Sequence, residues 1–400
     1  MDMATAASKR LNAGTHRSRT PAETLAHIRP MMSLFGITRV ANVTGLDRVG
    51  IPVALAIRPN SRAIAVSQGK GRTLEAAKAS ALMESIEIWH AERPDLALRQ
   101  GTAADQSIAT VDLARLPAIA RHRRSPQDRH LWAPAEDLMS GRAKLVPFEM
   151  IHADYTQPGV PGGGAFPCST NGLASGNHRL EAICHGICEV VERDALSVWH
   201  ALSVAGQQAT GVDPASITDD WCLGALNKFH DAGLEGRVWD VTSDTEIATF
   251  LCLVRDPDPS SPHLGLGSGT HPDRSVALSR ALTEAAQTRL NYISGAREDL
   301  RDGEYETAGL AAKLDAVTYL FDAPPTQPFD LAPHGVNATL EADLDWLLRR
   351  LSDAGIAEVA VTDLTRDEID IPVVRVVIPG LEAPHDDDSY VPGPRAGGAW

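Results

Sequence analysis

The chain has no C-x-x-C pair. Its five cysteines, Cys168, Cys184, Cys188, Cys222 and Cys252, are odd in number, so neither a disulfide framework nor a ribbon-type zinc site is encoded, and a reducing cytoplasm is the expected compartment. The opening "MDMATAASKRLNAGTHRSRT" lacks the apolar core of a signal peptide, and no apolar run approaches the roughly 18 residues of a membrane span. Positive charge is scarce. Lys and Arg number 37 against 52 Asp and Glu, a formal net charge of −15, which argues against a surface built to grip nucleic acid or an anionic membrane. Any phosphate must therefore be bound locally. A Walker A loop is absent too: "GKG" at 69–71 lacks the G-x-x-x-x-G-K-[ST] spacing. No Ser-His-Asp or Cys-His set stands out in the motifs.

What is present is ordinary for a folded protein, at 43% hydrophobic and 22% charged, so general disorder is excluded. Residues 1–20 are small, polar and basic and read as a mobile arm. "TPAETLAHI" offers Thr20 as a cap, Pro21 in the first turn and Glu23 three residues after the cap, which predicts a helix over about 21–33. From 38, "ITRVANVTGLD", "IPVALAIRP" and "AIAVSQGKG" read as strands joined by turns at Leu46-Asp47 and Pro59-Asn60. Helical stretches follow at about 73–92, 178–203 and 274–297, with the irregular "QPGVPGGGAFP" and "RDPDPSSPH" between them. "DLDWLLRRLSDAGI" has helical spacing, "EVAVTDLT" and "IPVVRVVIPG" read as strands, and the tail "DDDSYVPGPRAGGAW" is rich in Pro and Gly. Strand groups alternating with helices predict an α+β or mixed α/β fold, and no linker divides the chain.

Three of the helices carry a repeat. "AKASALMESIE" places Ala77, Ala81, Leu82, Glu84 and Glu87; "AICHGICEVVE" places Ala182, Gly186, Ile187, Glu189 and Glu192; "ALSRALTEAAQ" places Ala277, Ala281, Leu282, Glu284 and Gln287. A loop with small residues precedes each copy: "GKG", "ASG" at 174–176 and "GTH" at 269–271. Small residues at i and i+4 allow close approach to another backbone, and carboxylates at i and i+3 share one face. Two such helices facing each other gather Glu84, Glu87, Glu189 and Glu192, which repel unless a cation lies between them. Mg²⁺ suits such a place, because it takes one or two carboxylates and completes its octahedron with water and phosphate oxygens. One E-x-x-E alone is a common solvated helix face; three copies, with Arg193 and Arg280 beside them, shift the reading towards a site.

The blocks "SQGKGRTLEAAKASALMESIE", "STNGLASGNHRLEAICHGICEVVERD" and "GSGTHPDRSVALSRALTEAAQTRL" resemble, in order and spacing, the three signature blocks of the YcaO family. The resemblance runs from about residue 38 to the C-terminus. It implies an N-terminal arm and helix over 1–37 and a single YcaO-like domain over 38–400. Within that domain fall an ATP-binding core at about 60–300, an α/β segment at about 305–382 and a Pro/Gly-rich tail at 383–400. It also implies pseudo-repeated strand–helix units around an ATP site and ATP-dependent activation of a peptide backbone amide.

Carried over by position, the resemblance implies Glu84, Glu87, Glu189 and Glu192 as Mg²⁺ ligands. Ser80, Asn177, Glu181, Arg193, Arg280 and Glu284 become nucleotide contacts, and Arg193, Arg280 and Glu189 catalytic residues. Lys9 and Arg17 are candidates to fold over the triphosphate, with a solvated arm as the competing reading. Phosphorylating the amide oxygen turns a poor leaving group into phosphate, so the enzyme needs no nucleophile of its own.

The N-terminal block and the close "DLTRDEIDIPVVRVVIPGLE…YVPGPRA" resemble the branch that works with a TfuA-like partner, for which a thioamide and a sulfur donor are implied. Azoline-forming relatives often end in a P-x-P-x-P tail, whereas this chain ends "PGPRAGGAW". Thioamide formation is therefore preferred over cyclodehydration of a ribosomal peptide, and a non-catalytic nucleotide-binding scaffold is the rival from another class. The resemblance also suggests a homodimer. Trp400 is read as a frayed end, Asp194 as helix surface or a local ion pair, Cys184 and Cys188 as packing residues, and His271 as either a cap or a nucleotide-site residue.

Overall fold

A computed structural model of the chain describes residues 8–10, 14–120, 122–157, 159, 163–258, 263–300, 302–385 and 389–398. Trp400 lies outside the described residues. Helix α1 (Pro21–Ile28) begins at the expected capping box of Thr20 and Glu23. It gives way to a 3-10 turn over Arg29–Met31 instead of reaching 33, because Pro30 has no N–H with which to continue the ladder.

Strands β1 (Arg39–Asn42), β2 (Val53–Ile57) and β3 (Val66–Lys70) form an antiparallel sheet in that order and lead into α2 (Leu74–Glu92), capped by Thr73. Next come β4 (Arg99–Gly101), β5 (His130–Asp137), β6 (Arg142–Pro147) and β7 (Leu173–Ser175), followed by α3 (Arg179–His200). After α4 (Val204–Ala209) and α5 (Asp220–Asp231), strands β8 (Glu235–Asp240), β9 (Thr249–Arg255) and β10 (Gly265–Thr270) make a second antiparallel triplet, followed by α6 (Arg274–Ser294). Gly295, at φ +58°, ends α6 three residues before the expected boundary. Helices α7 (Asp302–Tyr305), α8 (Thr307–Thr318) and α9 (Leu340–Asp353) precede β11 (Ala360–Asp363) and β12 (Val373–Val377). The third sheet runs β4-β5-β11-β12-β7, with β6 paired to β5.

The repeat read from the helices is thus a strand–helix unit: β3 with α2, β7 with α3 and β10 with α6. Its small residues make the close approach to another backbone expected of them. In the first and third units they seat the helix on the strand that precedes it, whereas Gly186 of α3 lies against Val376 of β12 and the Gly172 carbonyl. A Cβ at Gly69 of β3 would lie 2.0 Å from the Ala77 carbonyl oxygen, and one at Gly269 of β10 would lie 2.1 Å from that of Ala277. Bare strand backbone against alanine is the closest packing two elements can reach, so the glycines set the helix position. The buried alanines of α2 and α6, together with Ile86 and Leu278, extend this contact into two separate apolar cores. A third core joins Ile183, Ile187 and Val191 of α3 to Leu347 of α9 and Val374 of β12.

Candidate active site

The three units close on one another through the residue that precedes each loop glycine: Gln68, Ser175 and Ser268. Two of these hold the first carboxylate of their own helix. The Gln68 N–H donates to Glu84 at 3.3 Å, and the Ser268 N–H to Glu284 at 3.4 Å. All three also reach the second polar position of the neighbouring helix. Ser175 donates to Glu87 through its N–H at 2.8 Å and its hydroxyl at 2.6 Å, and the Ser268 hydroxyl donates to Glu192 at 2.7 Å. Gln287 Nε2 donates to Gln68 Oε1 at 3.4 Å. The second unit thus holds the first, the third holds the second, and the third meets the first again. Lys70 of the first unit also pairs with Glu284 of the third. The result is a pseudo-threefold ring with the carboxylates inside.

The interior of that ring is electrically unsatisfied. Burial pushes Glu84 up to about 7, while Arg297, the Gln68 N–H and Lys70 oppose it and Glu189 adds repulsion. Glu87 is pushed up to about 8 by burial and by Glu84 and Glu189, although the Ser175 hydrogen bonds favour its charged form. Glu189 is raised to about 7 by burial and by Glu192, against Arg193, Arg375 and Arg280. These three side chains keep some exposed surface although protein surrounds them, so they line a concavity rather than a sealed core. Glu284 behaves differently. Burial works against its charge, but Lys70, Arg193 and Arg280 outweigh burial and hold it below the usual carboxylate range. Arg280 Nε is buried without a hydrogen-bond partner. Three carboxylates forced towards protonation beside two arginines form a place that a divalent cation and phosphate oxygens would satisfy.

Among the described residues no three His, Cys, Asp or Glu side chains converge in metal-holding geometry. The donor set fits Mg²⁺ in the manner of an ion that shares a few carboxylates with water and phosphate, not that of a closed protein cage.

The other expected contacts sit around this centre. Ser80 is half-buried on α2. Glu181 is buried and already engaged: the Asn177 N–H donates to it at 2.9 Å, the Ser18 N–H also donates, and Arg17 lies 3.6 Å away. Asn177 accepts from the Thr24 hydroxyl at 3.0 Å. Lys9 pairs with Asp343 at 2.5 Å and donates to the Asn337 carbonyl at 2.8 Å. Where described, the arm is therefore tied to α9 and the start of α3. His271 Nδ1 accepts from the Asp273 N–H at 2.9 Å and so shapes the entry to α6, and burial holds its ring neutral.

Asp194 corrects the reading of a helix surface. It is fully buried and receives Arg395 Nε at 2.7 Å, Arg395 Nη2 at 2.9 Å and the Glu382 N–H at 2.9 Å. Cys184 and Cys188 pack with the α9 side of α3, and burial raises both thiols, Cys188 to about 12, which suits packing rather than ligation. Gln68, Ser175, Ser268 and Arg375 were not singled out from the sequence. The shared signal of the first three is their position immediately before a loop glycine.

The chain belongs to the YcaO family: the family model described as YcaO cyclodehydratase, ATP- and Mg²⁺-binding, matches residues 68–382. It is 36% identical over 392 residues to an uncharacterised protein in the tfuA 3′ region of Rhizobium leguminosarum bv. trifolii, covering 94% of this chain and 91% of that one. An uncharacterised protein of Methanothermobacter thermautotrophicus is 37% identical over 369 residues, covering 90% and 94%. Among solved structures, the fold matches a heterocyclase in complex with substrate and cofactor at TM-score 0.79 and 23% identity. That match covers 95% of this chain but 54% of the heterocyclase, so the chain spans about half of that protein. YcaO from Methanopyrus kandleri, bound with AMPPCP and Mg²⁺, matches at TM-score 0.76 and 23% identity over 97% and 100% of the two chains. The mixed helix-and-sheet architecture is that of YcaO proteins, and ATP and Mg²⁺ are the family's cofactors. No helix among the described residues is long and apolar enough to cross a membrane.

Proposed function

We propose that this YcaO enzyme activates a backbone amide of a peptide or protein with ATP and Mg²⁺ and converts it to a thioamide, working with a TfuA-like partner and a sulfur donor. One observation carries the reading: Glu84, Glu87 and Glu189 are gathered where burial and mutual repulsion push them towards neutrality, with Arg193 and Arg280 beside them. Glu84, Glu87, Glu189 and Glu192 are the residues to hold Mg²⁺. Bound there, Mg²⁺ and the nucleotide supply charge neutralisation and a phosphate leaving group. Arg193 and Arg280 orient the phosphates, and Ser80, Asn177, Glu181 and Glu284 line the nucleotide, with Lys9 and Arg17 at its rim. Ser175 and Ser268 fix Glu87 and Glu192 in place, so the centre is organised before anything binds. A homodimer belongs to the same reading.

The relative in the tfuA 3′ region supports the thioamide. A second reading, azoline formation on a ribosomal peptide, draws support from the likeness to a heterocyclase. Mass spectrometry of peptides from cells with and without this chain separates them. A gain equal to sulfur minus oxygen is expected, loss of one water marks an azoline, and neither change in any peptide contradicts both and favours a nucleotide-binding scaffold.

A further inference from the structure

One concentration of positive charge has no part in the nucleotide chemistry above. The stretch "LARLPAIARHRRSPQDRHL" at 113–131 carries Arg115, Arg121, Arg123, Arg124 and Arg129 against a single carboxylate, Asp128, in a chain where Asp and Glu outnumber Lys and Arg by 52 to 37. Arg121 lies outside the described residues. Asp128 is spent within the loop: it accepts from His122 Nε2 at 2.9 Å and from the Ser125 N–H at 2.8 Å, which closes the turn. Arg123 is exposed and, among the described residues, pairs with no carboxylate. Arg129 is 63% exposed, and Asp105, its partner at 3.8 Å, is 55% exposed. A pair so open to solvent contributes little and leaves the arginine free to exchange partners. Arg124 lies half-buried in the same loop, its Nη1 donating to the Leu113 carbonyl at 2.7 Å and its guanidinium 5.6 Å over the Phe166 ring. No carboxylate answers it among the described residues, and burial works against its charge. A cation partly removed from water without a counter-charge is unfavourable.

The fold holds this loop next to the acidic ring. The Ala120 N–H donates to the Ser389 carbonyl at 3.2 Å, which ties the loop to the tail. Phe166, under Arg124, begins the approach to β7, whose Ser175 holds Glu87. Pro117 of the basic stretch and Pro167 line one cavity with Arg375, whose charge acts on Glu189. A chain of net charge −15 repels an acidic ligand over most of its surface, so a local basic loop focuses such a ligand on itself. The ring carboxylates also disfavour acidic side chains at the reacting amide, so the acidic residues of a substrate belong to one side of it.

We propose that the loop at 122–129 is the docking surface for an acidic stretch of the peptide or protein substrate, displaced along the chain from the amide that is modified. The inference rests on the peptide-amide reading above and adds the recognition chemistry. Exposed Arg123 and Arg129 meet the acidic side chains, and Arg124 contributes its uncompensated charge from beneath. Because the contacts are solvent-exposed charge pairs, they select and steer the peptide and leave the chemical step untouched.

The test is fluorescence anisotropy of two labelled synthetic peptides of equal length, one Glu-rich and one with Gln in place of every Glu, titrated with the full-length protein. Saturable binding of the Glu-rich peptide is expected, with the Gln peptide bound at least about tenfold more weakly. Raising salt from about 0.05 M to about 0.3 M should weaken the Glu-rich complex roughly tenfold, a readout that needs no variant. Arg123→Glu combined with Arg129→Glu should weaken it roughly tenfold or more at an unchanged melting temperature and Mg-ATP affinity, whereas Arg29→Glu, at an exposed arginine of another segment, should leave it unchanged. Equal binding of the two peptides, no saturable binding, or an equal loss in Arg29→Glu would overturn the proposal. A single-stranded oligonucleotide that binds this loop more tightly than the Glu-rich peptide overturns it as well, in favour of a phosphate backbone. Docking of the acidic peptide with no mass change in any peptide would uphold the surface while removing the thioamide function. Turnover of a modified peptide with an acidic flank whose KM is the same in the double variant would uphold the function and remove the surface, so the two failures are distinguishable.

Discussion

Glu189 and Asp194 lie five positions apart on α3 and are the same kind of group, yet the fold treats them in opposite ways. Asp194 is fully buried and accepts two hydrogen bonds from Arg395 and one from the Glu382 N–H. Glu189 sits part-exposed in the concavity, and among the described residues it accepts no hydrogen bond and makes no ion pair, only longer-range coupling to Arg193, Arg375 and Arg280. A buried charge without close partners is costly. A protein that can bring arginine and backbone N–H groups to one carboxylate and withholds them from another on the same helix has reserved the second for something that comes from outside. Completeness of partners, not proximity in the sequence, separates the structural carboxylate from the one held for a ligand.

That contrast can be broken most sharply at Glu189. Glu189→Gln keeps the shape and removes the charge, so Mg-ATP-dependent phosphate release should fall roughly 10²- to 10³-fold, by analogy with loss of one preorganised charge-stabilising group. The melting temperature should stay level or rise, since a mutual repulsion is removed. Normal turnover in this variant would erase the distinction between the two carboxylates.

The opposite result belongs to the other partner set. Arg395→Ala strands Asp194 in the interior and should lower stability by about 3 kcal/mol in urea denaturation while nucleotide affinity is kept. Adding Asp194→Asn to that variant should recover part of the loss, because the stranded charge is then gone. A pH-dependent effect concerns Glu87. Its folded-state value of about 8 stands above the ordinary 4.5, so its contribution to stability is present below about 4.5 and is lost as the pH rises through about 8. Relative to Glu87→Gln, metal-free wild type should lose melting temperature between about pH 4.5 and about pH 8, the window between the two values. Parallel profiles would place Glu87 in ordinary solvent.

The sequence made the repeat legible because its signals are local: small residues four apart, carboxylates three apart and a glycine-bearing loop before each copy. The three main helices fall within a few residues of their expected limits for the same reason. The ties that close the ring were hidden. Gln68, Ser175 and Ser268 are unremarkable until pairing of units places each beside a neighbour's carboxylate. Strand β10 escaped notice because "GLGSGT" has little β-branched character, its glycines being spent on contact with α6. Asp194 and Arg395 are 201 residues apart, a separation that no local pattern spans. Arg375 did leave a trace, as a lone charge inside the apolar run "IPVVRVVIPG". An arginine in a strand buried on both faces is a question about its partner.

The central claim is that the charges of Glu84, Glu87 and Glu189 stay unbalanced until a cation and a nucleotide arrive, although backbone and serine donors already reach Glu84 and Glu87. Because burial holds them at about 7, 8 and 7, a fraction of each is protonated near neutrality, and a cation can bind only as those protons leave. Calorimetry of Mg-ATP binding at pH 7, repeated in buffers of different ionisation heat, counts the protons released. Net proton release on binding is expected, with affinity rising from pH 6 to pH 8 and the release reduced in Glu189→Gln. Binding that releases no protons and has the same affinity across that range, or no binding at all, would contradict the account.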